Sequence, residues 1–138
     1  MGEITVERFN EIIRDELPWA HELGMTADTI GKGTAVLRLP FGGNMIRPGG
    51  TVAGPFMMAL ADAAMYAVVL SAIGEVQLAV TTSFNINFLH RPVPADLLAE
   101  GRVLKTGKRL VVTDVTVHSE GHTEPVAHAT GTYSVPPR

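Results

Sequence analysis

In the run GPFMMALADAAMYAVVLSAIG, from Gly54 to Gly74, a single charged side chain, Asp62, stands among apolar ones. A carboxylate taken out of water costs several kcal/mol unless donors and partners replace its hydration, and Asp is a mediocre helix former. A local conflict of this kind marks a site more often than a core position. The chemistry open to such a group is that of a general base or a nucleophile. The alternative is structural: Asp62 reaches solvent along an exposed stripe, or hydrogen-bonds the backbone of a neighbouring loop.

Gly54, at the start of the same run, offers a second element. A glycine-rich approach to a helix N-terminus presents free N–H groups with partial positive charge, suited to an anion or a developing oxyanion. Gly54 has such an N–H and Pro55 has none, although glycines also simply make turns. Asp62 lies eight residues on, roughly 12 Å along a helix axis at 1.5 Å per residue. The two groups cannot meet within one helix. A site using both must combine Gly54 of one subunit with Asp62 of an oppositely directed helix in another.

The elements that must position these groups follow from periodicity. Residues 5–17, TVERFNEIIRDEL, predict a first helix capped by Thr5, with Val6, Phe9, Ile12, Ile13 and Leu17 on one stripe and Pro18 ending it. MTADTI and TAVLRLPF around GKG predict a hairpin, and 41–53, FGGNMIRPGGTVA, a loop. Gly54 is the expected N-cap of the apolar helix, Pro55 its first residue and Gly74 its stop. From residue 76 the period becomes two. VTTSFNINF, LLAEGRVLK, RLVVTDVTVHS and PVAHATGTYSV read as strands, and the short gaps between them predict an antiparallel meander. In the first of these, Thr81 and Ser83 should share one face.

Helix, two strands, loop, apolar helix, four strands is an α+β order. A helix apolar on every side needs cover around its girth, and a curved antiparallel sheet wrapped about it supplies that cover. The plan resembles the hotdog fold. Such a sheet leaves edges, so pairing between subunits is expected.

Composition bounds the rest. The 138 residues fit one domain, 1–138, with 46% hydrophobic residues to build its core. A formal net charge of −3, from 11 basic and 14 acidic residues, provides no general field for nucleic acid or an anionic membrane. The absence of cysteine excludes disulfides, a thiolate nucleophile and a Cys-ligated zinc. The N-terminal stretch has no signal-peptide core, so a cytoplasmic location is expected. Residues 52–73 are long enough for a membrane span, but their many alanines, the GP start and the lack of basic flanks favour a helix enclosed by protein.

GGTVAGPFMMALADAAMYA, AVTTSFNINFLHRP and AEGRVLKTGKRLVVTDVTV together resemble the hotdog-fold acyl-CoA thioesterases of the phenylacetate-degradation, PaaI-like type, over about residues 20–135. The resemblance implies hydrolysis of a medium-chain or aryl acyl-CoA without a cofactor, by a homodimer or a homotetramer built as a dimer of dimers. It also implies that Gly54 is the oxyanion donor and Asp62 the catalytic acid. Thr81, with Ser83 as fallback, matches a hydroxyl that holds the attacking water, and Arg47 or, with an insertion, Asn44 falls where an Asn helps place substrate. Lys105, Lys108 and Arg109 in LKTGKR could meet the phosphates of coenzyme A, or form a plain solvated hairpin. Ala53 replaces a common His, and Pro55 a second glycine.

These departures keep two alternatives open: a non-catalytic acyl-CoA-binding or sensing protein, and a hydratase or dehydratase, which would pair a His with an acid. No metal is expected, because SEG between His118 and His122 reads as a turn rather than a ligand-bearing helix. A serine-nucleophile elbow and a dinucleotide fingerprint are both absent from the sequence.

Overall fold

The computed structural model describes residues 4–137. Helix α1, Val6–Glu16, starts where Thr5 accepts a hydrogen bond from the Arg8 N–H at 3.0 Å, and it buries Phe9, Ile12 and Ile13. Pro18 does more than end it. With its φ already suited to a first helical turn, it opens the short helix α2, Pro18–Glu22, which carries Trp19.

Strands β1, Thr26–Gly31, and β2, Thr34–Leu39, form the expected hairpin. After a loop with one 3-10 turn, Gly43–Met45, the long helix α3 spans Gly54–Ile73. Its cap is displaced by one residue from the sequence expectation: Ala53 is the N-cap and Gly54 already helical. Gly74 closes the helix at φ 96°, a left-handed backbone that favours glycine, and its N–H reaches the Leu70 carbonyl at 2.9 Å.

Strands β3, Val80–Phe88, β4, Leu97–Thr106, β5, Leu110–Ser119, and β6, Pro125–Ser134, complete one antiparallel six-stranded sheet in the order β1-β2-β4-β5-β6-β3. Only the last three make a meander. Strand β3 pairs with β6, so the segment after it, which contains Pro92 and Pro94, must carry the chain across to β4. This is the hotdog architecture, with α3 held in the curve of the sheet.

The sheet approaches the helix closely because its inward positions are small. Ala99, Ala127, Ala129, Gly101 and Gly131 are all buried there. A Cβ on Gly101 would lie 2.8 Å from Val68 Cγ2, and one on Gly131 would overlap Met65. Residues 63–71 of α3 are consequently buried on every side, so this apolar helix is a core helix of the sheet.

The first half of α3 is different. Pro55 and Met58 are exposed and Ala59 and Asp62 half-buried, a stripe at helical spacing that the sheet leaves uncovered. Strand β3 runs at the end of the sheet with one edge unpaired in the chain and most of its residues exposed. An open helix stripe and an open strand edge therefore belong to the same flank.

Candidate active site

Asp62 is half-buried in the chain rather than buried as its apolar neighbours suggested, because it ends the uncovered stripe. Its carboxylate is nevertheless held. Oδ1 accepts from the Thr81 hydroxyl at 2.9 Å and from the Tyr133 hydroxyl at 2.8 Å, and the same phenol also lies 3.0 Å from the Asp62 carbonyl. The two donors come from paired positions, Thr81 on β3 opposite Tyr133 on β6. Oδ2 takes no hydrogen bond from the described residues. One oxygen is anchored while the other stays available to a water or a carbonyl carbon.

Tyr133 is suited to anchoring. Its ring is 3% exposed and stacks on Tyr66 at 6.1 Å between centroids. Burial, followed by the nearby Asp62 charge, pushes its phenol well above the ordinary 10.0, so it remains a donor through the neutral range. The sequence reading missed this residue, although a signal was present: on the inward face of β6, Ala127, Ala129 and Gly131 precede one large residue, Tyr133. A lone Tyr among small inward residues needs a partner for its hydroxyl.

The expected sharing of a face by Thr81 and Ser83 does not occur. A bulge falls between them: Thr81 pairs with Tyr133 and Ser83 with Thr132, leaving Thr82 as the extra residue. One extra residue inverts the alternation. Thr81 thus points to the helix, and Ser83 points to the opposite face of the sheet beside Thr132. Ser83 does not join the Asp62 cluster. After the bulge Phe84, Ile86 and Phe88 lie on the helix side, opposite Gly131, Ala129 and Ala127.

Gly54 lies at the other end of the open stripe. As the first residue of α3 its N–H has no intrahelical acceptor. A Cβ added there would stand 3.3 Å from the Phe88 ring, so glycine keeps the helix start close to the end of β3. A cavity of about 420 Å³ opens at this point, lined among others by Gly54, Met57, Phe88, Arg47 and His90. Arg47 is placed on its rim by a small hairpin in which its N–H donates to Thr51 O and its C=O accepts from Gly50. Asn44, on the exposed 3-10 turn, is not part of that lining. The structure brings Arg47 to Gly54 and leaves Asn44 outside.

Lys105, Lys108 and Arg109 are exposed on the β4–β5 hairpin. The register Leu110–Ser134–Val80 puts this turn at the Asp62 end of the sheet. His118 and His128 sit on the outer face of the sheet with separate acids, Glu100 at 3.8 Å and Asp114 at 3.1 Å. Among the described residues no three His, Cys, Asp or Glu side chains are grouped to hold a metal ion.

Two half-sites are thus spread along one strand. Asp62 belongs to the Thr81 end of β3, and Gly54 to its Phe88 end. Antiparallel pairing of two β3 edges about a twofold axis through the strand would set the Thr81 end of each against the Phe88 end of the other. Each Asp62 would then face the Gly54 half of a second copy.

Comparison with known proteins points one way. Residues 49–126 match the model of the thioesterase superfamily. A "putative esterase" of Saccharolobus solfataricus is 31% identical over 133 residues, covering 96% of this chain and 86% of the relative. A crystal structure described as a "putative thioesterase" from Silicibacter sp. TM1040 is 39% identical, with a TM-score of 0.88 over 97% of this chain and 93% of that one. A point mutant of the phenylacetic acid degradation protein PaaI from Thermus thermophilus is 26% identical, with a TM-score of 0.75 over 86% of this chain and 98% of that one.

Proposed function

The chain belongs to the thioesterase superfamily, and from that membership together with the setting of Asp62 we propose that it hydrolyses acyl-CoA thioesters of medium-chain or aryl acids. The observation that carries this reading is the one-sided anchoring of the carboxylate: Oδ1 is fixed by Thr81 and Tyr133, and Oδ2 is left free at the edge of an open groove.

The acting unit is a homodimer formed through the β3 edges and the open stripe of α3, with a dimer of dimers as the larger assembly. In it Asp62 of one copy faces the Gly54 N–H of the other. Asp62 Oδ2 takes a proton from water as the water oxygen bonds to the thioester carbon, and the carbonyl electron pair moves onto oxygen. That oxyanion is met by the Gly54 N–H and the positive end of α3. When the intermediate collapses, the C–S bond breaks and the departing sulfur receives the proton held by Asp62. The products are one free acid and one CoA thiol.

Alternatively Oδ2 bonds directly to the thioester carbon, the C–S bond breaks and the CoA thiolate leaves; water then opens the resulting mixed anhydride to the free acid and the Asp62 carboxylate, and the proton released goes to the thiolate. Lys105, Lys108 and Arg109 stand at the Asp62 end, and Arg47 of the facing copy lines the Gly54 end, so both walls offer cations to the phosphates of coenzyme A. Thiol release measured over a panel of acyl-CoA esters tests the proposal. Saturable binding with no turnover of any member would leave the non-catalytic binding protein as the better reading.

A further inference from the structure

Asp62 and Thr81 stand on a ridge between two depressions. On one side lies the open groove of Met58, Ala59 and Phe84, which belongs to the uncovered flank. On the other a cavity of about 300 Å³ is walled by Trp19, Leu17, Tyr66, Ala63 and Val80, with Tyr133 beside the carboxylate. A thioester whose scissile carbon sits at Asp62 must send one arm to each side. In the proposed dimer the coenzyme arm takes the flank that faces the partner's glycine, which leaves the depression beside Trp19 for the other arm.

We propose that this depression, bordered by Trp19, is the acyl site, and that it selects an uncharged, apolar acyl group. The inference rests on the hydrolase reading given above. Its walls carry the argument. Trp19 is 43% exposed and Val80 57% exposed, apolar surfaces that the chain leaves partly uncovered. Apart from the Asp62 carboxylate, polar side chains around the depression are engaged: the Tyr66 hydroxyl donates to the Gln77 carbonyl at 2.9 Å, and the Gln77 amide donates to Glu75 at 2.8 Å. Glu75 in turn is held by Arg8 at 2.8 Å.

Among the described lining residues Asp62 is the only charged one. A carboxylate at the far end of an acyl group would find no cation there, and would be repelled by Asp62. An apolar ring or short chain loses nothing.

Trp19 is the sole tryptophan of the chain, so its fluorescence reports occupancy directly and independently of turnover. With Asp62→Asn to prevent hydrolysis, hexanoyl-CoA and benzoyl-CoA should change the emission saturably, and free CoA should not. In the otherwise native protein, Trp19→Ala should lower the kcat/KM ratio of benzoyl-CoA over acetyl-CoA about tenfold, as expected when one aromatic wall of an apolar pocket is removed. Trp19→Phe, which keeps a ring, should hold that ratio within about threefold. An equal fall for every acyl group, or an emission change that free CoA reproduces, would overturn the acyl-site assignment while hydrolysis stands. An acyl-dependent emission change in a protein that turns over no ester would do the reverse.

Discussion

The two halves of α3 are both largely apolar but have different surroundings. Residues 63–71 are enclosed by the sheet, whose glycines and alanines admit the helix at close range, whereas Pro55, Met58 and Asp62 line an uncovered stripe. The Asp62 end is already assembled within one chain, with two hydroxyls on its carboxylate. The Gly54 end is a cavity with an unspent N–H and no acid. The difference teaches that one chain assembles the Asp62 half without the Gly54 half, so that in the proposed dimer the join between copies would be where the chemistry is completed.

The strongest way to break this comparison is at the Asp62 half. Asp62→Asn keeps the shape and a hydrogen-bond acceptor but removes the base, and should lower kcat by about 10²- to 10⁴-fold. Folding, followed by circular dichroism, should be preserved. Activity within tenfold of the native protein would remove Asp62 from the mechanism.

At the Gly54 half the relevant group is a backbone N–H, so the substitution must delete that alone. Gly54→Pro removes the donor at a helix position that tolerates proline, and kcat should fall by about 10²- to 10³-fold. Gly54→Ala is the control. It brings a Cβ to 3.3 Å from Phe88, as proline does, but keeps the N–H. Equal losses in the two variants would mean that crowding against Phe88, not a missing donor, explains the effect.

Mixing the two inactive chains sharpens the comparison further. In a mixed dimer, Asp62 of the Gly54→Pro chain faces Gly54 of the Asp62→Asn chain, and one of the two sites is intact. Random exchange makes half of the dimers mixed, so about a quarter of native activity should return, given that additive, independent sites are the simplest case. Recovery of nothing after verified subunit exchange would place both groups of a site in one chain, against the roughly 12 Å spacing expected for eight helical residues.

Most of the frame was legible in the sequence, because it is written in periods. The cap at Thr5, the hairpin around Lys32 and the extent of the apolar helix are local signals, and Asp62 stood out through its conflict with its neighbours. What was not legible depends on pairing at a distance. The placement of β3 beside β6 rather than β4 is a choice among edges that no local pattern encodes. The bulge at Thr82 is a single residue without glycine or proline to announce it, yet it decides that Thr81 and not Ser83 reaches the carboxylate. Tyr133 lies 71 residues from Asp62 and becomes visible only once β6 and α3 are side by side.

The smallest expected effects come from that late-found partner. Tyr133→Phe removes one of the two donors on Oδ1 and should reduce kcat about two- to tenfold, the range of a single net hydrogen bond, with KM little changed. Its second signature is in stability. Burial raises the folded-state phenol above its ordinary 10.0, so an unfolded chain ionises where the folded one does not. Stability is therefore complete below about pH 10 and declines above it, by about 1.4 kcal/mol per pH unit for a group that stays protonated when folded. Tyr133→Phe has no such proton to hold, and its denaturation midpoint should fall less steeply than the native one between about pH 10 and 11. Parallel decline of the two proteins would mean that the Tyr133 phenol reaches water, and that Thr81 alone fixes the carboxylate.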